Sequence, residues 1–333
     1  MANDEITGVK IVVIGGGTGS FTLLQGVKRY VKHVTALVNM ADDGGSTGQL
    51  RDELGVLPPG DVRQCLVALS DSPKVRDLFN YRFDEGSLKG HAFGNLFLTA
   101  LEKMTGNFGE AVELAGRVLN IEGCVEPVTL SDVTLCVEGV DGRPVKGQFT
   151  IAHQEIAKHP NIWLEPTAVA NPAAVRAILR ADLVVVAPGN LYGSLAPVLV
   201  IDGIQRALHE TRAKCVYVCN LVTKPGQTDG FTVKDFASEI ERLAGGEFLD
   251  YVVFNNDEPS PELMEKYAHD GELVVKYDLD ELRRQHYEFR GVPILAKQMW
   301  AGAQASDPIA SARSFIRHDS DAVARQLMRL YFA

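Results

Sequence analysis

Short unbroken apolar runs alternate along this chain with segments whose apolar positions recur every three or four residues. Val9 to Ile14, Val34 to Val38, Asp182 to Ala187 (DLVVVA), Cys215 to Asn220 (CVYVCN) and Tyr251 to Asn256 are runs of the first kind. Consecutive apolar positions rich in valine predict strands buried on both faces, as in a parallel sheet. Phe21, Leu24, Val27 and Val31 carry the second pattern, as do Val62, Leu66 and Leu69. Helical spacing also predicts a short helix from Gln49 to Leu54, mainly helix from Lys74 to about Leu119, and helices over Ala173–Leu179 and Val233–Leu243. Thr232 or Thr228 caps the last of these, and Asp319 or Ser320 caps a tail helix showing Val323, Leu327 and Leu330 on one face. Between Val125 and Gln154 the pattern becomes strict alternation around Asp141-Gly142, which reads as a β-hairpin packed on the main sheet, and Leu273–Tyr277 adds an edge strand. The expectation is an α/β protein with a Rossmann-like, doubly wound, mostly parallel sheet and helices on both faces. Residues 1–333 form one domain, with a helical segment and β-hairpin inserted over residues 75–154.

The polar residues that interrupt this pattern collect where strands end. Gly15, Gly16, Gly17, Thr18, Gly19 and Ser20 join the first strand to its helix. Glycines bare the backbone N–H groups at the positive end of a helix, so the natural occupant is an anion, most often a phosphate. The second strand runs into Asn39, Asp42, Asp43, Gly44, Gly45, Ser46, Thr47 and Gly48. Paired carboxylates at a strand tip suit a polar ligand or a divalent cation, and also suit a plain tight turn. Two glycine-rich loops on consecutive strands favour the ligand. The segment Pro188-Gly189-Asn190-Leu191-Tyr192-Gly193-Ser194 repeats the strand–glycine–helix plan, leading into an apolar helix through Leu199 and Ile204. The break at Leu57-Pro58-Pro59-Gly60 precedes a helix capped by Asp61, which puts Arg63 in a first turn where it could meet a phosphate. Asn95, and less so His91, stand at the start of another helix, and Asn220 ends a strand. A Rossmann oxidoreductase is disfavoured, because Ser20 stands where its third glycine belongs, and no P-loop lysine is present.

Composition narrows the partners. The 333 residues are 46% hydrophobic with a formal charge of −10, which argues against a nucleic acid held by its phosphates. No apolar run reaches membrane-spanning length, and MANDEITG lacks the features of a leader, so a cytoplasmic protein is expected. Five scattered cysteines, Cys65, Cys124, Cys136, Cys215 and Cys219, form no metal or redox pair, and Cys215 and Cys219 read as small buried apolar residues.

IGGGTGSFTLLQGVK followed by NMADDGGSTGQLRDELGVLPPGDVRQCLVALSD resembles the YvcK-type gluconeogenesis factors. These are relatives of the CofD-type 2-phospho-L-lactate transferases, whose N-x-x-D-D turn Asn39, Asp42 and Asp43 match. The segments GHAFGN, CNLVTKPGQTDGFT and RHDSDAVA extend the likeness along nearly the whole chain. At the third loop, Ala187 and Asn190 replace a glycine and a serine of the family's G-P-G-S-L-Y-x-S pattern. The resemblance implies a CofD-like fold, binding of a UDP-sugar, and a role in cell shape and central carbon metabolism. The alternative it carries is a transferase moving a phospholactyl-like group from a guanylyl diphosphate carrier to a deazaflavin precursor. Mg²⁺ would then be held by Asp42 and Asp43. Self-association into a homo-oligomer is left open by the sequence.

Overall fold

The structure is a computed structural model describing residues 8–269, 271–296 and 316–333. The leader expectation rests on residues outside this range. The chain opens with strand β1 (Lys10–Gly15), helix α1 (Gly17–Val27), β2 (His33–Val38), α2 (Gly45–Leu54) and α3 (Gly60–Leu69). Helices α4 (Pro73–Asn80), α5 (Phe93–Thr105) and α6 (Phe108–Val118) follow, then β3 (Cys124–Pro127), β4 (Thr134–Glu138), β5 (Pro144–Lys146), α7 (Gln148–Ala152) and β6 (Ile162–Glu165). The second half contains α8 (Pro172–Leu179), β7 (Leu183–Val186), a π-helical turn (Leu191–Leu195), α9 (Ala196–Leu199), α10 (Asp202–Glu210) and β8 (Lys214–Val218). It closes with α11 (Val233–Leu243), β9 (Tyr251–Asn255), α12 (Pro261–His269), α13 (Leu279–Leu282), β10 (Glu288–Val292) and α14 (Ser320–Phe332).

Seven strands form one sheet in the order β10-β9-β8-β7-β1-β2-β3, with every pair parallel. Successive side chains of a strand point to opposite faces, and every residue of β7 is buried, so helices cover both faces. The chain winds outward from β1 to β3, then returns and winds the other way from β7 to β10. The reversal falls between β1 and β7, the position at which open α/β sheets hold ligands beyond their strand ends.

The interval Val125–Gln154 departs from the expected hairpin. Its first strand, β3, joins the parallel sheet as an edge. The turn at Asp141-Gly142 does join β4 to β5, but β6 completes a separate three-stranded antiparallel sheet. Gln148–Ala152 is a helix where alternation predicted strand. Gly147, at φ +90°, turns the chain out of β5 in a conformation that a side chain would strain. Leu273–Tyr277 makes only isolated bridges, Val222 to Val274 and Thr232 to Lys276, and the true edge strand is β10. The predicted helix through Ile204 is broken into the π turn, α9 and α10. Thr232 caps α11 in a full capping box with Asp235, and Asp319 caps α14. Cys215 and Cys219 are buried as expected. Among the described residues no helix is long and apolar enough to cross a membrane.

Candidate functional site

Three loops leave the C-terminal ends of the adjacent strands β7, β1 and β2, and they interlock. The α1 loop meets the β7 loop at Gly19, where an added β-carbon would lie 1.8 Å from the Pro188 carbonyl oxygen. Only glycine permits that approach. Asn39, buried at the end of β2, donates to the Gly193 carbonyl at 3.4 Å and accepts from its own loop at Ala41 N (2.9 Å). Asn220, beyond β8, grips Gly189 from both sides, accepting its N–H (3.3 Å) and donating to its carbonyl (2.7 Å). Asn190 caps the π turn by accepting from Gly193 N, and Leu191 is buried behind it. The glycine loops of the two halves therefore form one rim at the reversal point.

Helices α1 and α2 begin on that rim with glycine caps, Gly16 and Gly44, neither of which offers a side-chain acceptor. Helix α2 starts four residues earlier than periodicity predicted, so Ser46 and Thr47 lie in its first turn. Gly17 N–H donates across to Asp61 Oδ1 at 3.1 Å, while Thr18 presents its carbonyl to Thr22 Oγ1. Ser20 Oγ is buried beside Gly15 with no hydrogen-bond partner. A buried hydroxyl without a partner is costly, and it sits in the loop whose amides suit an anion.

Asp61 is the residue that sequence reasoning misplaced. It was expected to cap its own helix, but α3 is led by Pro59, and the Asp61 carboxylate reaches α1 instead. It packs against Gly16, where a β-carbon would come 2.3 Å from Asp61 Oδ2. Burial, then the charge of Asp42, pushes its pKa up to about 7 against the pull of Gly17 N–H and Arg63. Asp42 is raised as well, first by burial, with the Gly44 N–H bond at 3.1 Å opposing. Its Oδ2 lies against the Gly60 backbone, next to Asp61.

Asp43 was expected to share a metal with Asp42, and the structure turns it elsewhere. Its Oδ1 accepts the Phe149 N–H at 2.7 Å, capping α7, which follows β5. Adjacent residues of an extended turn point to opposite sides, so Asp42 faces Asp61 and Asp43 faces α7. Among the described residues no set of three or more His, Cys, Asp or Glu side chains comes together for a metal. Two buried carboxylates, both hard to ionise and one of them raised by the other's charge, nevertheless fit Mg²⁺, which takes one or two carboxylates and fills its shell with water and ligand phosphates.

Arg63 and Asn95 support the rim from below. Arg63 is only 6% exposed and donates through Nε to Asn95 Oδ1 (2.9 Å) and through Nη1 to Asn80 Oδ1 (2.5 Å). Asn95 Nδ2 continues to Ser46 Oγ (3.2 Å), which pairs with His91 Nδ1 (3.0 Å). This buried chain orients the first turn of α2. Tyr192 is held similarly by Glu239, which is buried and paired with Arg242 and His159. Burial alone would raise Glu239, but those hydrogen bonds hold it below its ordinary value.

A doubly wound sheet with glycine-capped helix N-termini gathered at its reversal point defines a Rossmann-like α/β protein. The family model described as 2-phospho-L-lactate transferase CofD matches residues 11–295. A relative from Clostridium acetobutylicum is 41% identical over 328 residues, spanning 97% of this chain and 70% of its own. The gluconeogenesis factor of Bacillus subtilis is 37% identical over 326 residues, with 96% and 98% covered. The crystal structure of a UPF0052-family protein from Bacillus halodurans matches with a TM-score of 0.86 at 34% identity, over 96% of this chain and 98% of that one. The chain belongs to the CofD family, among its gluconeogenesis factors.

Proposed function

We propose that this protein binds a UDP-sugar, such as UDP-N-acetylglucosamine or UDP-glucose, where β7, β1 and β2 end. The diphosphate lies over Gly15–Ser20, and Mg²⁺ joins it to Asp42 and Asp61. One observation carries the reading: two helix N-termini that attract phosphate adjoin two carboxylates that repel it. A divalent cation reconciles the two, because it is bound by carboxylate and phosphate together. Gly189, Asn190, Leu191, Asn220 and Asn39 form the facing wall. Arg63 and Asn95 act through the first turn of α2. The choice of a UDP-sugar, the cytoplasmic location and a part in cell shape follow the family resemblance. The name of the Bacillus subtilis relative supports a part in central carbon metabolism. A homo-oligomer is compatible with this site and not needed by it. A thermal-shift panel of UDP-sugars, UDP, GDP and ADP, with and without Mg²⁺, tests the proposal, since a ligand of the folded state raises stability by mass action. The reading predicts the largest shift for a UDP-sugar with Mg²⁺. Absence of any shift with uridine nucleotides would sink it.

A second reading is favoured by the family model and the Asp42–Asp61 pair: a transferase moving a phospholactyl-like group from a guanylyl diphosphate carrier to a deazaflavin precursor. Asp42 and Asp61 would then hold the cation at the donor diphosphate, where phosphoryl-group chemistry needs charge neutralisation. Turnover of a deazaflavin precursor would establish it. Saturable UDP-sugar binding without product supports the first reading.

A further inference from the structure

Helix α7 follows β5, yet it closes the gap between two of the strand-end loops. Its first turn is held by Asp43 through Phe149 N–H, and its end by Gln227 Nε2, which donates to the Ile151 carbonyl at 2.6 Å and the Gln154 carbonyl at 3.4 Å. Anchored at both ends, α7 presents two neighbouring side chains to the site. Gln148 Nε2 approaches Gly193 of the β7 loop, lying 3.3 Å from where its β-carbon would be. The Phe149 ring packs beside Gly44 of the β2 turn and is still 54% exposed.

The position of that ring sets it apart from other exposed apolar residues. A β-carbon built on Gly44 would be 3.5 Å from Phe149 Cδ2 and 3.5 Å from Asp42 Oδ1. Ring edge and carboxylate are therefore separated by no more than twice that distance, the order of span that a ribose covers between a base and its first phosphate. His153 fixes the ring from its own helix, donating Nδ1–H to the Phe149 carbonyl at 2.7 Å with ring centroids 4.5 Å apart. An exposed aromatic ring with its backbone pinned and a neighbouring ring tilted against it at 44° loses little freedom when a flat ligand covers it.

We propose that Phe149 is the platform on which the planar base of the bound nucleotide stacks, with Gln148 at the base's polar edge. This rests on the nucleotide reading above and adds a base subsite supplied by α7. Stacking of a base on an aromatic side chain is sequence-tolerant and sensitive to truncation of the ring.

A ligand–mutant cycle tests it. Calorimetry would compare UDP with 5,6-dihydro-UDP, whose saturated base is puckered, on the wild type, Phe149→Ala and Phe149→Trp, all with Mg²⁺. We expect Phe149→Ala to weaken UDP by roughly tenfold to a hundredfold. It should leave dihydro-UDP nearly unchanged, so that the two effects do not add. Phe149→Trp should keep the preference for UDP. Equal losses for both ligands in Phe149→Ala, or no loss for either, would overturn the platform while leaving nucleotide binding in place. Failure of the wild type to bind UDP at all would overturn both the platform and the nucleotide reading.

Discussion

Among single residues, three aspartates point in different directions around the strand-end loops and divide the work of the rim. Asp42 and Asp43 each accept one backbone N–H, so capping does not distinguish them; direction does. Asp61 faces Asp42, and burial makes both carboxylates hard to ionise. A carboxyl whose folded pKa is raised binds its proton more tightly when folded. Its contribution to stability is greatest at low pH and is lost as pH rises from the unfolded value, near 4, through about 7. Asp61→Asn keeps an acceptor for Gly17 N–H and removes the charge. In EDTA its melting temperature should match the wild type near pH 4 and exceed it near pH 8; an equal difference at both values would contradict the assignment. Asp43→Ala should lower stability by about 1 kcal/mol in denaturant unfolding, as loss of a helix cap does, because α7 loses its only N-terminal acceptor side chain among the described residues. The pairing of Asp61 with Gly17 was not legible in the sequence, since 44 positions separate them. The aspartate after Pro59-Gly60 could be read only as a local cap.

At the scale of elements, strands were the most legible part. β1, β2, β7, β8 and β9 all lie within the apolar runs that announced them or extend them by a residue, because burial on both faces leaves no polar position to blur the pattern. Helix α7 was hidden for the opposite reason. The alternation in VKGQFTIAH suits a strand, and what overrides it is a positive-φ glycine plus a cap from Asp43, 106 residues away. Close packing between loops was also invisible as such, although the glycines that allow it were not. Gly19→Ala would drive a methyl group into the Pro188 carbonyl and separate the α1 loop from the β7 loop. Overpacking of this kind costs about 1–3 kcal/mol. We expect a lower unfolding midpoint together with loss of UDP-sugar binding. A variant with unchanged binding would show that the two loops do not form one cradle.

At the scale of the whole molecule, the reversal of winding between β1 and β7 brings residues from opposite halves of the chain to one rim. Helix α7 covers that rim, held by Asp43 of the β2 turn and lying against Gly193 of the β7 loop. In the proposed complex a cation reconciles the helix N-termini with the Asp42–Asp61 pair. Calorimetric titration of UDP-N-acetylglucosamine into the wild type and the Asp42→Asn/Asp61→Asn double variant, in Mg²⁺ and in EDTA, tests it most directly. We expect saturable wild-type binding in Mg²⁺ that weakens at least about tenfold in EDTA, the equivalent of roughly 1.4 kcal/mol. The double variant should bind with the same affinity in both buffers. Wild-type affinity unaffected by EDTA, or a double variant that still responds to Mg²⁺, would contradict it.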